Sequence, residues 1–399
     1  MESAELRELL TPEGVALLDS LPTYTSNTDV LKMVAQLRKD GNSPSLVATV
    51  LTQAKLRSKA ATKFGDFASR MLFTEAGLEQ ATRLPVAALH ASRYVRAGLT
   101  SVADLGCGIG ADALAFAGAG LSVLAVDADE VTAAITTYNL APFPEATVAH
   151  STAEEADLTG IESVYLDPAR RTSGHTNTSR LTSSEDYSPS LDFAFGLAQK
   201  LPTGIKLGPG FDRDLIPNNC EAQWVSVNGD VVEVGLWFGP LARKGITRAA
   251  LIMNAEGVHE LTAATDSADA EVGELGKFLY EPDGAVIRAR LIGDVARNIG
   301  AHMLDEHIAY MSSDTAVSTP FASCFEVVKE FALDVKVLAK ELKARGIGTL
   351  EIKKRGVDID PAEFRKRLSL SGKNSATLFL TRLGERRVAI LAHRVIEAN

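Results

Sequence analysis

The spacing of apolar residues changes near position 100. Before it, apolar residues recur with a helical period. After it, short apolar runs alternate with helical ones. Residues 1 to about 97 therefore predict helices, interrupted by a loop from Ser20 to Asn27 that contains Pro22. Residues 45–73 form one long pattern in which Leu56, Ala60, Phe64, Phe67 and Met71 make an apolar stripe. Beside it, Lys55, Lys59 and Lys63 recur every four residues and share one face. That lysine face reads as solvated. The next helix opens near Pro85, a favoured first-turn residue, and stops at Gly98.

From Ser101 onward, strand-like runs at 101–106, 121–127, 146–150, 163–168 and 204–209 are separated by helical ones at 111–120 and 129–140. This rhythm predicts an α/β fold with a doubly wound parallel sheet. Two β-rich runs follow, 221–227 and 231–238, separated by Asn228-Gly229-Asp230. Asn-Gly marks a hairpin because both central residues must accept positive φ, so the parallel sheet ends in an antiparallel hairpin. A second hairpin is suggested by 248–254 and 257–261. Residues 263–325 carry no readable period and begin as an acidic, exposed connection. Beyond them, 326–346 predicts a helix ending at Gly346, and 349–354 a strand. Asp360-Pro361-Ala362-Glu363 predicts a helix start with a capping box, and 376–382 with 386–395 a closing strand pair. The expected organisation is an N-terminal helical domain (1–97), an α/β domain (98–262), a connecting segment (263–325) and a small α/β domain (326–399).

A chain of 399 residues suggests two or three domains. With 46% hydrophobic and 23% charged residues it has a globular balance. No apolar run approaches the roughly 20 residues of a membrane span, and the acidic N-terminus does not read as a secretory signal. Cys107, Cys220 and Cys324 are scattered, with no CxxC pair, which argues against a disulfide framework or a metal site. The expectation is a cytoplasmic protein with no membrane and no metal partner. The net charge of −10 is unevenly spread. Residues 329–399 hold 16 Lys+Arg against 9 Asp+Glu, and the rest holds 25 against 42. A basic module can bind a polyanion even on an acidic chain, although a solvated surface is an equal reading of charge alone.

Candidate chemistry centres on Val102-Ala-Asp-Leu-Gly-Cys-Gly-Ile-Gly110. Gly106, Gly108 and Gly110 sit where a strand turns into a helix, and glycine lets backbone approach a ligand closely. With Ala111 this also fits a dinucleotide fingerprint. Asp104 separates the readings. A carboxylate at this turn would repel a pyrophosphate but suits a ligand with a cationic amino group. Asp127, closing the next strand, can accept both hydroxyls of a ribose under either reading. Residues 101–238 resemble the class I S-adenosylmethionine (SAM)-dependent methyltransferases, in which this glycine loop is the first motif. The resemblance implies a Rossmann-like methyltransferase sheet, with SAM as cofactor. It implies that Asp104, Gly106, Gly108 and Gly110 line the methionine end of SAM, and that Asp127 holds the ribose. Where that family often places an acid near the adenine, this chain has His150-Ser-Thr-Ala-Glu154, which puts Ala153 there.

The fourth strand ends in Leu166-Asp-Pro-Ala-Arg-Arg171. Asp167-Pro168-Ala169-Arg170 resembles the Asp/Asn-Pro-Pro-aromatic motif of enzymes that methylate exocyclic amines of bases. There the side chain and the following carbonyl aim the nitrogen lone pair at the methyl group, and positioning supplies much of the rate. Arg170 replaces the stacking aromatic and could stack on a base or bind a phosphate. The string also resembles the motif of RNA uridine C5-methyltransferases. Those require a cysteine nucleophile after the next strand, and residues 204–212 contain none, so direct transfer is expected. Asp167, Pro168 and Arg170 are the candidate catalytic residues. The long polar stretch 172–189 reads as a substrate loop. His175 receives no role. Lys206, on the fifth strand, is open between an ion pair and a substrate contact.

Residues 59–94, the Asp167 edge and 351–368 together resemble a bacterial family that joins a class I methyltransferase to a THUMP-like C-terminal domain. That resemblance covers nearly the whole chain. THUMP domains bind RNA, so it implies transfer to a base of structured RNA, tRNA or rRNA. Lys353, Lys354, Arg355, Arg365, Lys366 and Arg367 are the expected phosphate contacts. The tail has few aromatics, which favours shape and phosphate recognition over stacking on single strands. Two other readings stay open: a protein or small-molecule methyltransferase, and a non-catalytic SAM- and RNA-binding protein.

Overall fold

The computed structural model describes residues 1–21, 27–170 and 186–395. The chain divides into two compact units, one formed by 1–207 with 236–241 and the other by 208–235 with 242–399.

The first unit opens with helices α1 (Ser3–Leu9), α2 (Pro12–Ser20), α3 (Asn27–Lys39), α4 (Pro44–Phe64), α5 (Glu75–Gln80) and α6 (Leu84–Arg96). Helix α4 starts on Ser43, whose hydroxyl accepts from Leu46 N, with Pro44 in its first turn. It ends at Gly65, which has φ 56°. The helical pattern read over 45–73 therefore stops early. Residues 65–70 form a tighter 3₁₀ turn, which leaves Phe67 exposed while Leu56, Ala60 and Phe64 are buried.

The alternating part follows as β1 (Ser101–Leu105), α7 (Ala111–Gly118), β2 (Ser122–Asp127), α8 (Glu130–Leu140), β3 (Ala146–His150) and β4 (Val164–Leu166). A short pair, β5 (Ala169–Arg170) and β6 (Tyr187–Ser188), is followed by α9 (Leu191–Ala198) and β7 (Thr203–Leu207). The order β7-β4-β1-β2-β3 is parallel throughout. Beside β7 runs the end of β9 (Asp230–Phe238). The strands are apolar because both faces are covered. Register brings Asp104 level with Tyr165, and Asp127 level with His150. The C-terminal ends of the strands thus converge on one edge, where ligands bind in open parallel sheets.

Tyr94 on α6 is fully buried under this sheet. Its hydroxyl donates to Val164 O at 2.7 Å and accepts from Gly204 N at 3.1 Å. A Cβ on Gly204 would come within 2.7 Å of both that hydroxyl and the Trp237 ring, so only glycine fits there. Phe116, Tyr165 and Trp237 meet Tyr94 edge-on.

In the second unit, β8 (Glu221–Val227) runs to β9 through Asn228 and Gly229, with φ 53° and 87°, as the predicted hairpin turn requires. The order is β11-β10-β8-β9. Strand β10 (Arg248–Asn254) lies parallel to β8, and β11 (Gly257–Ala263) returns antiparallel to β10. Two more strands therefore lie on the far side of β8 from β9.

Residues 263–325, unreadable by period, hold β12 (Phe278–Pro282), α10 (Gly284–Arg288), α11 (Ile292–Ile299), β13 (His302–Asp305) and β14 (Ile308–Ser313). The C-terminal part contributes β15 (Ala322–Ala332), α12 (Val335–Ala344), β16 (Ile347–Lys354), α13 (Pro361–Arg367), β17 (Asn374–Leu383) and β18 (Arg386–Arg394). Together with β12–β14 these strands build a sheet of order β13-β14-β12-β15-β18-β17-β16. The helix expected over 326–346 is corrected here. Glu326–Ala332 belongs to β15, because Val327 and Phe331 fit a ladder with β18, with the register shifting at Val328, and the helix begins only after Asp334. Asp334 accepts from Lys336 N and Val337 N and so caps α12.

Tyr94→Phe should lower the free energy of unfolding by about 1–3 kcal/mol, since two buried backbone groups lose their partner. Chemical denaturation followed by tryptophan fluorescence checks this. A loss below about 0.5 kcal/mol would mean that the hydroxyl holds nothing.

Candidate active site

The turn between β1 and α7 is held in an unusual backbone conformation. Gly106, Gly108 and Gly110 have φ of 87°, 56° and 83°, where a side chain is strained. Gly106 N and Cys107 N both donate to Val126 O, at 2.9 and 3.0 Å. Gly108 N donates to Asp127 Oδ2 at 3.0 Å, and the Thr136 hydroxyl donates to Gly108 O at 2.6 Å. Asp127 also accepts from Asp129 N at 2.9 Å, and burial pushes its carboxyl above the usual range. The loop walls a cleft of about 370 Å³, in the usual size range for small-molecule sites. Opposite it stand Gly77, Gln80, Ala81 and Thr82, with residues 151–154 at one side and Asp167, Ala169, Ser188 and Pro189 at another.

Beneath the cleft, charge is unevenly balanced. Asp104 is 1% exposed, and its Oδ2 has no hydrogen-bond partner. Burial, then the charges of Asp112 and Asp167, push its carboxyl well above the ordinary range. Asp112, in the first turn of α7, is buried too, but it is answered. Its Oδ1 lies 2.8 Å from His90 Nδ1, and its Oδ2 accepts from the Thr82 hydroxyl at 2.6 Å. Burial alone would raise it, yet the hydrogen bond and charge of His90, with the Lys206 charge, hold it below the usual value. Tyr165 O–H sits 3.1 Å from the same His90 nitrogen. Lys206 Nζ is 2.5 Å from Asp167 Oδ2, so the lysine left open by the sequence forms an ion pair at the strand edge.

Of the sequence-predicted residues, Gly106, Gly108, Asp127, Ala153 and Asp167 line the cleft. Asp104 is buried and is not among the lining residues. Gly110 is set back, where a Cβ would meet Thr136 Cγ2 at 2.9 Å, so its place is at the packing of α7 on α8. Pro168 is buried beside the cleft. Arg170 pairs its backbone with Tyr187, and its side chain lies outside the described residues. The expected substrate loop, with Arg171 and His175, falls largely in 171–185, also outside them. Sequence reasoning missed Asp112, His90 and Gly77. Asp112 had a signal, an acid in the first turn after the glycine loop.

The expected phosphate contacts are dispersed by pairing. Lys353 Nζ lies 2.6 Å from Glu281 Oε2 and 3.2 Å from Glu351 Oε1, and Arg355 lies 3.7 Å from Glu281. Lys366 pairs with Glu363 at 2.6 Å, and Arg365 donates to Leu350 O. Lys354 and Arg367 are exposed and have no ion pair among the described residues.

Residues 322–394 match the THUMP domain-like family, and residues 2–60 match a domain of unknown function (DUF8688). An uncharacterized S-adenosylmethionine-dependent methyltransferase of Mycobacterium tuberculosis, found in strains CDC 1551 / Oshkosh and H37Rv, is 34% identical over 356 residues. The match covers 86% of this chain and 93% of that protein. The chain belongs to the SAM-dependent methyltransferases. A crystal structure of a candidate methyltransferase from Porphyromonas gingivalis W83 shares the fold, with a TM-score of 0.70 and 19% identity. The match covers 93% of this chain and 100% of that one. No helix among the described residues is long and apolar enough to cross a membrane.

The site of this methyltransferase fits SAM. The unanswered Asp104 oxygen calls for a cation, which the ligand's methionine end carries. The glycine loop leaves open space over Gly108, where nothing lies within 4 Å of a built Cβ. Ligand-free, the protein should lose stability as pH rises above the ordinary carboxylate range. Asp104 then ionises readily in the unfolded chain but not in the folded one. SAM, favouring the ionised form, should bind more tightly over the same rise. Asp104→Asn should flatten both slopes, measured by melting and by calorimetry. Unchanged slopes would remove Asp104 from cofactor binding.

Proposed function

We propose that this SAM-dependent methyltransferase methylates a base of structured RNA, tRNA or rRNA, by direct transfer. SAM supplies an electrophilic methyl group. Asp167, at the end of β4 and on the cleft wall, receives the acceptor's hydrogen and orients its lone pair. Lys206, 2.5 Å away, holds the Asp167 carboxylate in place for that task. Pro168 fixes the backbone after Asp167, and Arg170 contacts the base or its phosphate.

A covalent route is disfavoured by the thiols. Cys107 lines the cleft, but burial pushes its thiol well above the usual range. Cys220 is pushed up to about 12, also by burial. Neither is a ready thiolate nucleophile.

RNA is supported by one observation above all. The THUMP domain-like module carries Lys336, Lys340 and Lys343 on α12, exposed and with no ion pair among the described residues. Spaced four and three residues apart, they share a helix face and form a row suited to phosphates. Lys354 and Arg367 add to it. Lys353, Arg355 and Lys366, being paired, contribute less.

Labelled methyl should pass from SAM to total RNA of cells lacking this gene, and not with Asp167→Ala, which should still bind SAM. Transfer to a protein or small-molecule fraction instead would overturn the RNA reading. Replacing Lys336, Lys340 and Lys343 by Ala should flatten the log–log salt dependence of RNA binding by about 2–3 units.

A further inference from the structure

Lys63 was expected on a solvated face with Lys55 and Lys59. The latter two are exposed, but the Lys63 ammonium turns inward. It donates to Leu78 O at 2.8 Å, Glu79 O at 2.7 Å and Ala81 O at 2.8 Å. All three of its protons are thus used on carbonyls at the C-terminal end of α5. Those are groups that a helix end leaves unsatisfied, and that attract a cation.

The segment so held borders the cofactor. Gly77, Gln80, Ala81 and Thr82 line the cleft. A Cβ on Gly77 would come within 2.5 Å of Ile109 in the glycine loop, so α5 packs directly on that loop. Thr82 then ties to Asp112. The same helix, α4, grips the chain just before α5. Gln53 exchanges hydrogen bonds with Phe73 N and O, and Arg57 Nε donates to Met71 O. Asn139 on α8 binds Leu72 N, Leu72 O and Ile109 O, joining this strap to the glycine loop.

We propose that α4 acts through Lys63 as the clamp of a cofactor-covering strap, residues 71–82, and that Lys63 is a positioning residue for SAM retention. The proposal rests on the cofactor and not on the identity of the acceptor. Four charged groups bear on the Lys63 ammonium besides its carbonyls: Arg83, Lys206 and Lys59 against it, and Glu79 for it. Burial, then Arg83 and Lys206, lower it to about 8. Losing one proton leaves two N–H groups for three carbonyls, and the strap loosens.

Direct calorimetry of SAM binding tests this on the full chain without any acceptor. Lys63→Met should weaken SAM binding about tenfold, Lys63→Arg should recover most of that loss, and Lys55→Met should change nothing. Wild-type affinity measured against Lys63→Arg should fall as pH rises through about 8, because arginine does not titrate there. In turnover, Lys63→Met should raise KM for SAM with kcat nearly kept. Wild-type affinity in Lys63→Met, or no recovery in Lys63→Arg, would overturn the clamp. If Lys63→Met does not fold, the pH comparison decides, and parallel profiles of wild type and Lys63→Arg would overturn it.

Discussion

A carboxylate removed from water costs several kcal/mol unless something answers its charge. This fold buries two at the end of a parallel sheet, Asp104 and Asp112, and answers only one from within. His90 and Thr82 satisfy Asp112. Asp104 is left with a bare oxygen and a carboxyl pushed upward. The imbalance is eased by the charge of Lys206, and it leaves the carboxylate suited to a cationic ligand. Much else serves that arrangement. The glycine loop brings backbone close over the carboxylates, Asp127 fixes the loop through Gly108 N, and Asp167 takes the lysine's ammonium at the reacting edge.

The N-terminal helices belong to this site and are not an appendage to it. Helix α6 carries His90 and Tyr94 under the sheet, so the partner of Asp112 and the prop of β4 and β7 come from one element. Helix α4 supplies Gln53, Arg57 and Lys63 to main-chain groups between Met71 and Ala81. Side chain to backbone ties of this kind fix a strap whatever side chains it bears.

Local rules made much of this legible. The parallel rhythm, the Asn228-Gly229 turn, the glycine loop and the Asp-Pro edge each depend on residues close in sequence, and each forms as its chemistry demands. What escaped depends on distant partners. Nothing near Lys63 says that carbonyls 15 to 18 residues later will receive it, so its helical spacing with Lys55 and Lys59 was misleading. Glu326–Ala332 looked helical by continuity with α12, but pairing with β18 decided otherwise. Phe67 had the right spacing for a core stripe and lost its place because Gly65 ends the helix first. The segment 263–325 has no period because its elements are short, and its strand β12 pairs with β15 on one side and β14 on the other.

Pairing also changes what the basic tail means. Read as a string, Lys353-Lys354-Arg355 is a cluster of three charges. In the fold, Lys353 on β16 and Arg355 just past its end both reach Glu281. Their charge is spent on tying β16 to β12. Arg365 likewise serves the main chain at Leu350. An ion already answered releases fewer counterions on meeting a phosphate, so the strength of a polyanion site follows its unanswered charges. Among the described residues of this module, Lys354 and Arg367 stay unpaired singly, while α12 lines up three such charges, Lys336, Lys340 and Lys343, where the sequence shows only an ordinary amphipathic helix. Its buried positions, Leu338 and Leu342, fix the face that packs, and by doing so turn the three lysines outward together.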